Sequence, residues 1–316
     1  MKEPTVTSDN GLGIHVHVAP MRPVPDPDAQ EAGIQPMWSP CSSTLITSET
    51  EALLVDTLIT CDQVDALADW IKGFGKRLVG VLLTHGHSDH WIGLSRLQEH
   101  FPGLRGLATK DVLARARYEA AGLGYYWRGV FGDQIPTDPA LPELLEADTI
   151  SLDGHPLRVI DIGQGDTENS TILHMPQIDA VVAGDVCYNQ VHMMTAWTDD
   201  TARQAWIANL DAIAALNPSI VVSGHKRVDA PDSPDTIEQS KQYLRDFSRV
   251  ASEQDTVEGI VAEMLKLHGD RDNPYTLVGP TKRYPCDFSC FANASAFGVD
   301  VGRPAPDRGA RLRVTS

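Results

Sequence analysis

Residues 81–93 read VLLTHGHSDHWIG. The run over residues 77–83 that leads into this segment predicts a strand buried on both faces. It stops at a polar cluster that places His85, His87, Asp89 and His90 on the loop that follows. Three imidazoles and a carboxylate within six residues supply donors for two metal ions. In extended backbone alternate side chains share a face, so His85 and His87 can point the same way. Asp89 and His90 then face a second ion as the chain turns into a helix. Imidazole nitrogen and carboxylate oxygen suit zinc, and also iron or manganese. The bland alternative is a solvated loop with chance histidines. A buried strand seldom ends in four such groups, which favours ligation.

The rest of the chain bounds what such a centre can serve. It has 316 residues, 42% hydrophobic and 22% charged, ordinary globular proportions that exclude wholesale disorder. Against 26 basic residues stand 43 acidic ones, a formal charge of −17. Such a surface repels phosphate backbones and anionic lipids. Nucleic acid and membranes are therefore poor partners, and a small-molecule substrate is expected. No window approaches the ~20 apolar residues of a membrane helix. Residues 1–13 are polar and lack the apolar stretch of a signal peptide. Five cysteines, at 41, 61, 187, 286 and 290, are too few and too scattered for a disulfide framework. Cys286 and Cys290 are spaced C-x3-C but lack a second pair, so they read as coincidence rather than half a zinc site. A cytoplasmic location is the expectation.

Hydrophobic periodicity divides the chain into two α/β halves. Residues 13–19 alternate Ile14, Val16 and Val18 as a strand should. The Pro- and Asp-rich run over 21–36 reads as loop. Residues 42–47 and 52–58 read as paired strands around a turn. Val64, Leu67, Ala68 and Ile71 mark a helix over 61–74, with further helices at 94–100 and 110–121. Residues 120–146, rich in Gly, Pro and aromatics, read as an insertion beside an opening. Short strands are expected at 149–152, 157–162, 170–175 and 180–183. Residues 201–216 predict a helix with Ala205, Ile207, Leu210, Ile213 and Ala214 on its inner side. A buried strand at 219–223 and helices at 236–250 and 256–267 follow. The organisation is an N-terminal tail over 1–12, a main domain over 13–268 and a C-terminal extension or cap over 269–316.

The segment Thr84-His85-Gly86-His87-Ser88-Asp89-His90 after a buried strand resembles the signature of the metallo-β-lactamase-fold hydrolase superfamily. Three later segments match in order. GQGDTENST at 163–171 stands where the family has a Gly-His-Thr segment. Ala183-Gly184-Asp185 matches the strand-end aspartate that bridges two metals, and VVSGH at 221–225 ends in the last histidine ligand, His225. The resemblance spans about residues 13–250. It implies an α/β fold, an αββα sandwich of two mixed β-sheets flanked by helices, with the site along one sheet edge. It also implies two zinc ions (Zn2+) held by His85, His87, Asp89, His90, Asp185 and His225. The family's third histidine is missing. Its position falls on Gln164 if Gly163 is aligned with the family glycine, and on Asp166 if Asp166-Thr167 is aligned with His-Thr. Asp166 is preferred, because a carboxylate can close the first ion's shell where glutamine is a weak neutral donor. Capping of the turn over 167–170 is the other reading of Asp166.

Tyr188, three residues after Asp185, is similar to the tyrosine that N-acyl homoserine lactonases place over the substrate carbonyl. Its phenol could donate to a developing oxyanion, or its ring could simply pack on the sheet edge. His192 reads as a substrate contact or a surface residue, and His174 as a core or edge histidine. Trp38 and the run Tyr125-Tyr126-Trp127 read as pocket lining or core, and Tyr125 and Trp127 also as a homodimer contact. The implied chemistry is hydrolysis. A water or hydroxide between the ions, its pKa lowered towards neutrality, attacks the carbonyl of a small ester, lactone or thioester. Asp89 holds the second ion and helps pass the proton to the leaving group. Three rivals stand beside this expectation. β-Lactam hydrolysis rests on the superfamily name alone. A mononuclear iron dioxygenase of the persulfide dioxygenase type would use two histidines and one aspartate. A non-catalytic binding protein with a decayed site has only the missing histidine in its support.

Overall fold

The computed structural model describes residues 6–7, 11–26, 29–30, 33–123, 127–195 and 198–277. The first half carries strands β1 (Val6–Thr7), β2 (Gly13–Ala19), β3 (Arg22–Pro23), β4 (Met37–Trp38), β5 (Cys41–Thr47), β6 (Glu51–Val55), β7 (Arg77–Leu82), β8 (Gly106–Ala108) and β9 (Glu143–Leu144). Its helices are α1 (Cys61–Lys72), α2 (Ser88–Trp91), α3 (Leu94–His100), α4 (Lys110–Gly122) and α5 (Trp127–Phe131). The second half carries β10 (Thr149–Leu152), β11 (His155–Gly163), β12 (Ser170–Met175), β13 (Ala180–Asn189) and β14 (Ile220–Lys226), with α6 (Asp200–Ala215), α7 (Asp235–Glu253) and α8 (Val257–Leu267). In space the strands run β10-β11-β12-β13-β14 and then β5-β6-β7-β8-β9, with β2 on the other side of β5. The two runs meet through one residue pair, His225 with Cys41. The sandwich is therefore a sheet pair joined at a seam, and the seam lies where the chemistry-bearing residues gather.

Strand alternation explains the layering. In β6, Ala52 and Leu54 pack towards the helices of the first half, while Leu53 and Val55 pack between the sheets. In β13, Val181 and Ala183 face α6 and α7, while Ala180 and Val182 face inward. Period-two side-chain geometry thus builds an outer core on each sheet and a central core between them. The helices close the outside with apolar stripes. Val64, Leu67, Ala68 and Ile71 of α1 sit at helical spacing and are all buried. This αββα order matches the expected fold.

Several boundaries differ for physical reasons. The strand expected over 180–183 continues to Asn189, because Gly184 takes a left-handed φ of 52° and bends the strand without ending it. The strand expected to reach residue 58 stops at Val55, where Asp56 turns the chain with φ of 60°. Within the insertion, Glu143 and Leu144 pair in parallel with β8, so this part belongs to the framework. The run over 21–36 is bounded by a small ribbon, β3 against β4. The buried stripe of α6 runs through Arg203, Trp206, Leu210 and Ile213. Trp206 displaces the smaller alanines from the inner side and anchors its Nε1 to the carbonyl of Val186 at 2.8 Å. Trp127 is buried and is no surface contact. Tyr125, Tyr126, Cys286, Cys290 and most of the expected C-terminal extension lie outside the described residues. Among the described residues, no helix is long and apolar enough to cross a membrane.

His192 is neither exposed nor at the candidate site. It is fully buried, with Nδ1 3.0 Å from the Tyr243 hydroxyl. Burial, aided by Arg271 and His268, pulls its pKa from 6.5 to about 4. Between those values the unfolded chain binds a proton that the folded chain refuses, so stability falls as pH drops from 6.5 towards 4. The loss reaches up to about 3 kcal/mol. His192→Gln should flatten this slope in denaturant titrations at pH 7.5 and 4.5; equal slopes for the two proteins would refute the assignment.

Candidate metal centre

Strands from both halves deliver the donors to the seam. His85 and His87 lie on the loop after β7, and Asp89 and His90 begin the short helix α2. Asp166 lies on the loop after β11, Asp185 and Tyr188 on β13, and His225 on β14. Parallel pairing of β13 with β14, and of β6 with β7, points these strand ends the same way. Every one of these side chains is buried.

The donors form two groups, linked by a third set, Asp56, His85 and His90, whose donor atoms are equally close. Donor atoms of His85, His87 and Asp166 lie within 4.8 Å of one another, as do those of Asp89, His90, His225 and Cys41. His87 Nδ1 is 2.9 Å from Asp166 Oδ2, and His225 Nε2 is 3.4 Å from Asp89 Oδ2. Asp185 stands between the groups. Its Oδ2 is 3.8 Å from His85 Nε2 and 3.2 Å from His225 Nε2, and its Oδ1 is 3.5 Å from His90 Nε2. Asp166, not Gln164, faces the histidines. The Gln164 side chain donates to the carbonyl of Gly165 instead.

A supporting layer aims the rings. Asp56 accepts from the backbone N–H of Thr84 at 2.8 Å and from its hydroxyl at 2.7 Å, and its Oδ2 is 2.9 Å from His90 Nδ1. His225 Nδ1 donates to the carbonyl of Pro40 at 2.8 Å. Such contacts fix the tautomer and turn Nε2 inward. Thr84 opens the quoted motif, but its supporting role and those of Asp56 and Pro40 are not legible in the motif itself. Asp56 carried a usable signal, since a carboxylate closing the apolar run Leu53-Leu54-Val55 needs a buried partner.

The donor set fits a cation. Buried polar atoms nearly always find hydrogen-bond partners, yet His85 Nε2, His90 Nε2, Asp166 Oδ1 and Asp185 Oδ1 are buried without one. All four belong to this cluster. The charges are consistent with it. Burial opposes ionisation of Asp89 and Asp185, but the surrounding histidines prevail and hold both carboxyls below their ordinary range. Burial likewise opposes charge on His90 and His225, but Cys41 followed by Asp185 and Asp89 raises His90, and Asp185 above all raises His225, both well above the usual histidine value. Burial, reinforced by His90, drives His85 well below it. Burial pushes the Asp166 carboxyl up.

A cavity opens on the cluster. Met37, Trp38, Trp127, Met194 and Tyr275 provide apolar wall, and His87, Asp89, Asp166, Asp185 and His225 lie along its polar side. Trp38 meets Trp127 edge-on at 5.0 Å between ring centroids. Tyr188 stacks on His225, and its hydroxyl donates to Asp185 Oδ2 at 2.8 Å and to Asp166 Oδ2 at 3.3 Å. Tyr275 and Thr276, beyond the expected main domain, also line the cavity. His174 lies in β12, away from the cluster.

Comparison with known proteins agrees with this architecture. The model of the metallo-beta-lactamase superfamily matches residues 36–225, more than half of the chain. A metallo-beta-lactamase type 2 of Bacteroides fragilis is 24% identical over 211 residues, covering 66% of this chain and 76% of that protein. A metallo-beta-lactamase from Pontibacter korlensis superposes with a TM-score of 0.56 at 16% identity, covering 77% of this chain and 98% of that one. One from Pseudomonas aeruginosa, solved in its mono-zinc form, gives 0.54 at 18% identity, covering 78% and 96%. At these identities the structural likeness speaks for the fold.

Proposed function

The chain belongs to the metallo-β-lactamase superfamily, and from that premise we propose that it is a metal-dependent hydrolase of small uncharged esters, lactones or thioesters. The reading is carried by the two donor groups on either side of Asp185, with unsatisfied buried atoms, along one side of an apolar cavity. His85, His87 and Asp166 would hold one cation, and Asp89, His90 and His225 a second, with Asp185 between them. When bound, such cations supply Lewis acidity and lower the pKa of water towards neutrality. Zinc suits this nitrogen and oxygen set.

The chain's own groups do the rest. Burial beside Asp166 and Asp185 drives the Tyr188 phenol well above its ordinary pKa, so it keeps its proton and acts as a hydrogen-bond donor. It lines the cavity, and by turning its proton from Asp185 it would donate to the oxygen of an attacked carbonyl. Asp89, held ionised, can take a proton from the attacking water and return it to the leaving group. Trp38, Trp127 and Met37 line the cavity with apolar surface that would shield a bound acyl group from water. No lysine or arginine lines the cavity among the described residues. An anionic substrate would find no basic side chain there and would have to pair with the cations themselves, so the reading puts neutral carbonyl compounds before carboxylate-bearing β-lactams.

Elemental analysis, followed by a panel of neutral ester, lactone, thioester and β-lactam compounds, tests this. The expected result is two zinc ions per chain, turnover of a neutral compound, and loss of turnover on chelation. Tyr188→Phe should lower kcat about 10²-fold with metal content unchanged. One iron per chain with dioxygen uptake would replace hydrolysis by oxygenation. Turnover of β-lactams alone would overturn the substrate class, and absence of metal would leave a binding protein.

A further inference from the structure

Cys41 opens β5 at the seam, with its Cα paired to that of His225. Side chains of directly paired residues lie on one face of a sheet, so the thiol stands beside the His225 ring. The carbonyl of the preceding residue, Pro40, holds His225 Nδ1, which latches this strand start to the ligand strand. Cys41 is 4% exposed, and among the described residues its thiol makes only long hydrogen bonds, 3.9 Å to the carbonyls of Asp89 and Ser42. One donor atom each of Cys41, Asp89, His90 and His225 lie within 4.8 Å of one another. A second observation points to a ligand here. His90 Nε2 is buried without a hydrogen-bond partner, 3.5 Å from Asp185 Oδ1, while its Nδ1 is committed to Asp56.

We propose that the Cys41 thiolate is a ligand of the second cation, completing with Asp89, His90 and His225 a four-donor set that contains sulfur. The thiol proton leaves to solvent as the sulfur–metal bond forms. Thiolate, imidazole and carboxylate are all ordinary zinc donors, and tetrahedral zinc takes four. The mixed set makes the two positions unequal. The first group has only nitrogen and oxygen, whereas the second has a soft donor and binds soft cations more tightly. Asp185 is then not needed to fill the second shell. Cys187, equally buried on β13 but packed in the core against the α6–α7 layer, has no such company and serves as the internal control.

The inference rests on the reading of the cluster as a cation site, and cobalt separates the two. Cobalt-loaded protein should show visible d–d bands together with a strong near-ultraviolet sulfur-to-cobalt charge-transfer band. Cys41→Ser should lose the charge-transfer band, keep d–d absorption, and weaken binding of one of the two ions by about 10–100-fold. Cys187→Ser should keep the band. X-ray absorption of the unaltered zinc protein needs no variant. It should show one sulfur neighbour, at about 2.3 Å, for every two zinc ions. Cobalt d–d bands without charge transfer, a band that survives Cys41→Ser, or zinc with nitrogen and oxygen neighbours alone would overturn the proposal and leave the cation site standing. Absence of any cobalt spectrum would overturn both.

Discussion

Replacing His87 with alanine should remove one of the two metal ions and turnover together. The imidazole is one of only three donors in its group, and its Nδ1 lies 2.9 Å from Asp166 Oδ2. Burial works against a charge on His87, yet the neighbouring Asp166 carboxylate raises its pKa overall. Removing the ring leaves that buried carboxylate facing a void. The two remaining donors, His85 and Asp166, cannot close a shell around a cation. Loss of Lewis-acid stabilisation is worth several kcal/mol, so kcat/KM should fall about 10³-fold or more. Elemental analysis should show about one ion per chain in place of two. His174→Ala is the matched control, since His174 is a buried strand histidine whose ring serves no donor group. Full turnover by a His87→Ala protein that has lost its metal would defeat the hydrolytic reading.

The difference between legible and hidden parts of this centre follows chain distance. His85, His87, Asp89 and His90 sit within six residues, so their chemistry shows in one short string. Asp185 and His225 stand out because each ends an apolar run where a polar group is costly without a partner. Asp56 satisfies the same criterion, but the strand pattern runs past it to residue 58 and hides the turn, and its partner His90 is 34 residues away. Cys41 gave no local sign. Its place beside His225 depends on a pairing across 184 positions that only the seam between the sheets creates. The burial of His192 is hidden for the same reason, because the hydroxyl it meets belongs to Tyr243, 51 residues on. The strand framework was more accessible, since alternation and helical spacing are local. Its failures fell where glycine or aspartate adopts left-handed backbone, at Asp56 and Gly184, and where two residues of a proline-rich stretch join a sheet edge.

Gly224→Ala should be as damaging as the loss of a ligand, although position 224 contributes no donor. A Cβ there would stand 2.0 Å from Asp185 Oδ1, 2.8 Å from the carbonyl carbon of Gly184 and 3.0 Å from the Asp185 backbone nitrogen. Two of those neighbours are backbone and cannot swing aside. They belong to the irregular stretch of β13 in which Gly184 pairs with Ser223 and Tyr188 with His225, so the extra residues bulge towards Gly224. Gly184 cannot yield either. It holds φ of 52°, and a Cβ on it would meet the Thr84 hydroxyl at 2.6 Å. The strain therefore falls on the Asp185 carboxylate, the one group that stands between both donor sets. Overpacking of this kind costs about 1–3 kcal/mol of stability. The larger effect is chemical, because displacing Asp185 separates the two donor sets and leaves Tyr188 without the acceptor that aims its hydroxyl. Turnover should fall about 10³-fold while the protein still folds. Thermal unfolding, metal content and kcat measured on the same preparation test this. Gly129→Ala, in open space on α5, is the neutral comparison. A Gly224→Ala protein with unchanged metal content and kcat would show that β13 and β14 part easily at the seam, contrary to the close packing on which Asp185 depends.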